Sequence, residues 1–477
     1  MVTTMKRVRA VTLIIASSAV LSFFTFCRVG LTRSALKAGF ATAKITPPLG
    51  TALSGFGERD FDPAGAKGVH DDLYARALYL TQGNKEALIM GFDLLFFSRE
   101  ESDRFKSAIG NKIGLPPDKI LLNTSHTHTG PKVGNWYYTP SDLLYLQELE
   151  EQSIAAALEA KQSVCEVTLW AGETRTGVPL SRRRPLADGT VAFAPNPAGP
   201  IDDFLPFILL KSREGSPVCL LFSVACHPST IKGDELAYVI SADFPGAAAS
   251  EIDRNLGKTA ALFLQGAGGD AKASVIGRNS DSWRGGTWED VAAAGRMIAT
   301  EIQAACSAGL EEVKPRLKTS LVETNLPLAA APTREELMAI LESPESKAED
   351  APTHLRVRRK WVEEQLALLD RGYGLRTKVP VLVQGIQLGP GLRIIGVEGE
   401  LVAEIGMLIR DFYGSGITFV LGYSNGAQMY IPTSKMIAQG GYEVESYWEY
   451  RQPAPLAQGI EAHFLRALEE LKRAGIE

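Results

Sequence analysis

Asn123-Thr124-Ser125-His126-Thr127-His128-Thr129-Gly130-Pro131 follows the apolar run Ile120 to Leu122 and closes on a Gly-Pro breaker. A short apolar run ended by such a pair reads as a strand running out into a tight loop. With residues 120–125 extended, the period of two puts His126 and His128 on one side of the chain. Two imidazoles then face one small volume, among hydroxyl residues too small to cover them. The 477 residues include only six histidines, and two of them stand here. Neutral imidazole suits a metal, an acid–base role or a satisfied loop position, so the pair needs partners elsewhere in the chain.

Partners are found at the ends of other predicted strands. The run 217–225 delivers Cys226-His227-Pro228, and the run 392–397 ends in Glu398-Gly399-Glu400 before a predicted helix over 401–413. A carboxylate at such a junction caps the helix or binds a cation. Strand ends on one sheet edge gather in one crevice, the usual place for a site in α/β proteins. Two histidines, a carboxylate and a fourth oxygen donor suit zinc with room for water. His70 and Asp93 can also reach a shared site, with turn and capping roles as the alternative. Asp243 reads as the N-cap of a helix with Pro245 in its first turn. The three arginines of Ser181-Arg182-Arg183-Arg184-Pro185 can hold a carboxylate or an amide oxygen, although the default for a charge run is a solvated face. Gln265-Gly266-Ala267-Gly268-Gly269-Asp270 is a loop whose bare backbone can approach a ligand closely, without the spacing of a phosphate-binding loop.

Helical patterns at 102–113 and 143–161 alternate with these strands, which predicts an α/β protein of the mixed α+β kind: mixed β-sheets flanked by helices, with a metal site at strand ends. Composition shifts to helix formers and charge over about 333–375, a helical insertion that reads as a lid, a membrane-facing patch or a solvated hairpin. A 45% apolar, 22% charged chain is an ordinary globular protein. Its net charge of −5 argues against nucleic acid as a partner. The five cysteines show no CxxC and no regular spacing, so neither a disulfide framework nor a cysteine zinc site is predicted. Lys6, Arg7 and Arg9 precede an apolar run over 11–27, the layout of an export signal. Residues 1–34 are therefore expected to be a signal peptide or a membrane anchor. The protein would be exported, as a periplasmic, extracellular or membrane-tethered species.

Taken in order, the HTHTGP loop at His126 to Pro131, Ala225-Cys226-His227-Pro228, Gly268-Gly269-Asp270, Gly399-Glu400-Leu401, Tyr430-Ile431-Pro432 and Gly441-Tyr442-Glu443 resemble the catalytic domain of the neutral ceramidase family. The resemblance spans roughly residues 41–450. It implies one catalytic domain over 35–477, here with no C-terminal accessory domain, that hydrolyses the amide of ceramide or a related N-acyl lipid with one catalytic Zn2+. By resemblance His126, His227, Glu400 and Tyr430 hold the zinc. His128 contacts the reacting amide, Tyr442 serves the substrate carbonyl, and one of Arg182 or Arg183 is the site arginine. Lys272 stands where the family has a serine. Two other functions fit the residues less fully: a metal-dependent esterase or phosphoesterase, and a non-catalytic envelope protein that keeps the fold to bind a lipid or glycan.

Overall fold

Leu88, Met90 and Phe92 of strand Lys85–Phe92 belong to one hydrophobic core, and Ala87 and Ile89 to another. Strand Ile120–Thr124 divides in the same way, with Ile120 and Leu122 in the first core and Leu121 in the second. A strand covered on both faces has no solvent side to mark with polar residues, so its sequence is a continuous apolar run. The computed structural model describes residues 34–477 except 57–58, 60–63, 135–137, 234 and 344–352. The export segment expected over 1–34 lies outside the described residues, Ser34 apart.

The main sheet has nine strands. From edge to edge it runs Ala261–Gln265, Pro217–Val224, Phe204–Ser212, Cys165–Arg175, Lys37–Lys44, Tyr74–Gln82, Lys85–Phe92 and Ile120–Thr124, and Glu311–Val313 pairs with Cys165–Arg175. The outermost pair at each edge is parallel and the others are antiparallel. A second sheet of four strands, Lys318–Pro327, Lys378–Gly389, Leu392–Val397 and Ile417–Leu421, packs on one face of the first. Ile89, Leu121, Leu221 and Leu264 meet Ile386, Ile394, Phe419 and Leu421 in the core between them.

Helices cover the outer faces. Arg99–Ile113 and Pro140–Gln162 pack over one half of the main sheet through Phe105, Ile109, Leu146 and Leu149. Asp243–Leu256 and Trp288–Ala308 pack over the other half, and Ala403–Tyr413 with Ile460–Arg473 over the four-stranded sheet. The result is a helix, sheet, sheet, helix sandwich, the mixed α/β class expected from the sequence. Each fully buried leucine, isoleucine or phenylalanine contributes about 1.5–3 kcal/mol.

Local chemistry sets the helix ends. Ser98 with Glu101, and Thr139 with Asp142, form reciprocal capping boxes, so both helices begin three residues before their apolar periodicity does. The helix expected from 401 starts at Ala403 instead, because Glu400–Leu401 pairs in parallel with Tyr430–Ile431. Helices Arg334–Glu342 and Thr353–Asp370 occupy the expected insertion, but they are not a solvated hairpin. Leu337, Trp361, Val362 and Leu366 form a small core of their own, and Trp361 Nε1 donates to Gln452 O at 2.9 Å. Among the described residues no helix is long and apolar enough to cross a membrane.

One buried amide draws the site together. Gln265 N donates to Asn123 Oδ1 at 2.7 Å, and Asn123 Nδ2 donates to Gly422 O at 2.8 Å. Both edges of the main sheet and the last strand of the second sheet therefore meet at Asn123, and the loops leaving these strands enter the same volume.

Candidate metal centre

His126 comes off strand Ile120–Thr124 with φ 66°, a left-handed conformation that non-glycine residues seldom adopt. The extended backbone expected through Ser125 thus breaks at the histidine itself. Its amide donates to Leu94 O at 2.8 Å, which fixes the turn. His126 and His128 still face one volume, with their Nε2 atoms 3.2 Å apart, but a turn rather than strand alternation brings them there. His227 follows strand Pro217–Val224, anchored by its amide on Ala271 O at 3.0 Å. Glu400 and Tyr430 are register partners of the short parallel pair, which sets them side by side.

The donor atoms converge. His126 Nε2 lies 3.0 Å from His227 Nε2 and 3.4 Å from Glu400 Oε2. His227 Nε2 lies 3.5 Å from Glu400 Oε2 and 3.3 Å from Tyr430 Oη. Four ligands at about 2.0–2.1 Å from one tetrahedral centre stand roughly 3.3–3.4 Å apart. The four separations, 3.0–3.5 Å, fall near that value. The ligand nitrogens of His126, His128 and His227 also lie within 4.8 Å of one another, so His128 reaches the same space.

Tautomers decide what that space wants. His126 Nδ1 meets Leu95 O at 2.9 Å, His227 Nδ1 meets Gly268 O at 2.8 Å, and His128 Nδ1 meets Gly55 O at 2.7 Å. A carbonyl only accepts, so each Nδ1 carries the proton and each Nε2 presents a lone pair. Burial, opposed by the charge of Glu400, lowers the His126 pKa, and burial first of all holds His128 and His227 well below the ordinary histidine value. Neutral imidazole nitrogens and a carboxylate oxygen packed 3.0–3.5 Å apart repel unless a cation sits among them. The residues therefore fit a metal ion.

Surrounding groups hold the donors in place. Tyr423 Oη donates to Glu400 Oε2 at 3.1 Å, and Tyr450 Oη donates to Glu400 Oε1. Arg182 Nη2 donates to Tyr430 Oη at 3.1 Å and its Nε to Glu443 Oε1 at 2.8 Å. Arg183 reaches the other oxygen of Glu443 at 2.5 Å. Arg182 and Arg183 are 3% and 7% exposed, so the solvated charge run expected by default is instead a buried cluster. Pairing of Pro179–Pro185 with Val191–Asn196 slips by one residue between Ser181 and Arg183, where the two consecutive arginines share one carboxylate. Burial would push Glu443 up, yet the two guanidinium groups hold it below its usual value. Burial, and then the charge of Glu400, push Tyr430 well above the ordinary tyrosine value, with Arg182 opposing.

The glycine-rich loop has a packing role. A Cβ on Gly268 would stand 2.4 Å from Cys226 N, so only glycine allows its carbonyl to reach the His227 ring. Asp270 Oδ1 accepts from Ala403 N at 2.8 Å and caps the helix that follows Glu400. Lys272 is buried, donates to Ser229 O at 3.2 Å, and is pulled down to about 7, by burial first and Arg182 second.

Other sequence candidates sit elsewhere. His70 is exposed and stacks on Trp288 with centroids 4.0 Å apart. Asp93 is a structural carboxylate, paired with Arg76 at 2.7 Å and accepting from Tyr74 N. Asp243 is the first helical residue and not the N-cap; its carboxylate binds Thr230 N and Oγ1 and steadies the loop after His227. Tyr442 is 39% exposed at the rim, and its hydroxyl donates to Glu449 at 3.0 Å. Reasoning from sequence missed Tyr423, Tyr450 and Glu443. Only Glu443 stood in a quoted run, Gly441-Tyr442-Glu443, and there without a role.

The fold is an αββα sandwich, and at its strand ends stands a histidine group that could hold a metal ion. The particular fold is that of neutral ceramidases. The crystal structure of neutral ceramidase from Pseudomonas aeruginosa matches with a TM-score of 0.66 and 15% identity, over 93% of this chain and 74% of that one. A ceramidase complexed with C2 matches with a TM-score of 0.68 and 15% identity, over 93% of this chain and 76% of that one. No family model matches the sequence, and no curated protein matches it.

Proposed function

We propose that the protein is a zinc-dependent amide hydrolase of the neutral ceramidase type, acting on ceramide or a related N-acyl lipid. The observation that carries this reading is the meeting of His126 Nε2, His227 Nε2, Glu400 Oε2 and Tyr430 Oη, with separations of 3.0–3.5 Å along His126–His227, His126–Glu400, His227–Glu400 and His227–Tyr430, on a fold similar to that of neutral ceramidase. Nitrogen and oxygen donors without cysteine suit zinc. The chemistry such an ion supplies when bound is Lewis acidity, which acidifies water and polarises an amide carbonyl.

The chain's own residues do the rest. His128, fixed as the Nδ1–H tautomer by Gly55 O, presents an Nε2 lone pair that would take a proton and return it to the leaving amine. Arg182 orients the Tyr430 phenol and places positive charge where it lowers the cost of the phenolate. Tyr442, at the rim, would turn from Glu449 to donate to the developing oxyanion, a kind of contact worth about 3 kcal/mol elsewhere. A second reading draws on the third imidazole: with His128 also on the ion, the site would be closed and structural.

Hydrolysis of a fluorescent short-chain ceramide, with metal content measured on the same sample, tests the proposal. Near one zinc per chain and chelator-sensitive turnover would support it; full zinc occupancy with no turnover on any N-acyl lipid would favour the closed structural site. Export is part of the same proposal, supported by the basic and then apolar layout of residues 6–27. Cell fractionation that recovers the protein in the cytoplasm would remove it.

A further inference from the structure

Lys272 stands beside the metal donors, and no step of the proposed hydrolysis uses it. Its backbone forms a parallel bridge with His227, whose amide donates to Ala271 O at 3.0 Å. The short run from His227 to Ser229 then ties the ammonium to both histidines. His227 presents Nε2 to the centre, Pro228 O accepts from His128 N at 3.1 Å, and Ser229 O accepts from Lys272 Nζ at 3.2 Å. The lysine and the His128 backbone are therefore held by adjacent carbonyls. Electrostatics agree: after burial and the charge of His126, the charge of Lys272 comes next among the causes that hold His128 below the ordinary histidine value.

Two buried donors lack acceptors here. Lys272 is 3% exposed, and an ammonium carries three N–H donors and no acceptor. Ser229 O takes one of them, and Lys272 forms no ion pair among the described residues. The half-buried ring of Trp283 has its centroid 5.7 Å from Nζ, near the limit of a cation–π contact, and its own buried Nε1 has no partner. Buried charges are ordinarily paired and buried N–H groups bonded, so both donors point to a missing acceptor. Arg182 and Lys232 add positive charge nearby. The opposing carboxylate, Asp243, is already held by Thr230 N and Oγ1.

We infer that Lys272 and Trp283 form a carboxylate-binding subsite for the substrate beside the metal centre, with Lys272 Nζ on the charge and Trp283 Nε1 as the second donor. A carboxylate supplies what both groups lack, acceptor oxygens and a countercharge. The inference rests on the amidase reading and narrows it: the N-acyl compound carries a carboxylate close to the scissile amide, unlike neutral ceramide.

The test compares N-dodecanoylglycine with neutral N-dodecanoylethanolamine, using the full-length zinc-loaded protein and its K272M variant, which keeps the length of the side chain without its charge. Wild type should prefer the glycine conjugate by about tenfold or more in kcat/KM, the usual worth of a hydrogen bond to a charged group, and K272M should lose that preference. No preference in wild type, as expected if water alone satisfies the two donors, or a preference that survives in K272M, overturns the assignment. Should K272M fail to fold, W283F decides: a preference reduced by about threefold or more keeps the subsite, and an unchanged one removes it. If neither amide is cleaved, the amidase reading fails separately, and calorimetric binding of N-dodecanoylglycine decides the subsite: binding lost in K272M keeps it, and no binding or equal binding removes it.

Discussion

Tyr423 donates its hydroxyl to Glu400 Oε2 at 3.1 Å, on the oxygen that stands 3.4 Å from His126 Nε2 and 3.5 Å from His227 Nε2. Tyr450 holds the other oxygen, so the carboxylate has no freedom to rotate away. Outer partners of this kind are typically worth 10–100-fold in metal affinity. Tyr423→Phe should weaken zinc binding by that factor, measured by competition with a chromophoric chelator, while the fold is kept.

His126→Ala and Glu400→Ala should each abolish metal retention by elemental analysis, because each removes one of the four donors. His128→Ala should retain zinc and lose about 10²–10⁴-fold in turnover, the usual worth of a proton-transfer group. Zinc lost from His128→Ala would instead make that histidine a ligand.

Chelation should lower the melting temperature, and added zinc should restore it, since an ion bound by the folded chain alone stabilises it by mass action. Without the ion, the facing lone pairs of His126 and His227 at 3.0 Å destabilise the folded state. Calorimetric scans with and without chelator measure the difference.

Arg182→Met should cost about 3–5 kcal/mol in denaturant unfolding, because Glu443 would keep a buried charge with one partner fewer. The double variant Arg182→Met with Glu443→Gln should recover part of that loss. A fully additive double variant would show that the pair is not coupled.

Asp71, bonded to Ser241 Oγ and Ala242 N, is pushed by burial from 3.8 up to about 6. Between those values the folded state holds more protons than the unfolded one, so stability falls as pH rises through this window. The rise is worth at most about 3 kcal/mol. Asp71→Asn cannot titrate, so relative to wild type it should gain stability from pH 4 to 6 and keep a constant advantage above pH 7. Urea unfolding at several pH values reads this difference.

The sequence by itself determined the secondary-structure class and marked the strand ends that carry His126, His128 and His227. The apolar runs 120–122 and 217–225 fall in strands Ile120–Thr124 and Pro217–Val224, buried on both faces, and His126 and His227 stand just past their ends. Local composition also marked the helical segments, and their capping boxes refine where they start. Tertiary structure alone decided the partners. The slip at Ser181 and Arg183, the parallel register that sets Glu400 beside Tyr430, and the meeting of both sheet edges at Asn123 join residues from 10 positions apart, Arg183 and Phe193, to 299 apart, Asn123 and Gly422. Periodicity reports which face of its own element a side chain takes. It carries no information about which other element packs against that face, because that choice is made by the combined burial of two sheets and their helices. Tyr450 therefore has no mark in the sequence, although it holds the same carboxylate as Tyr423.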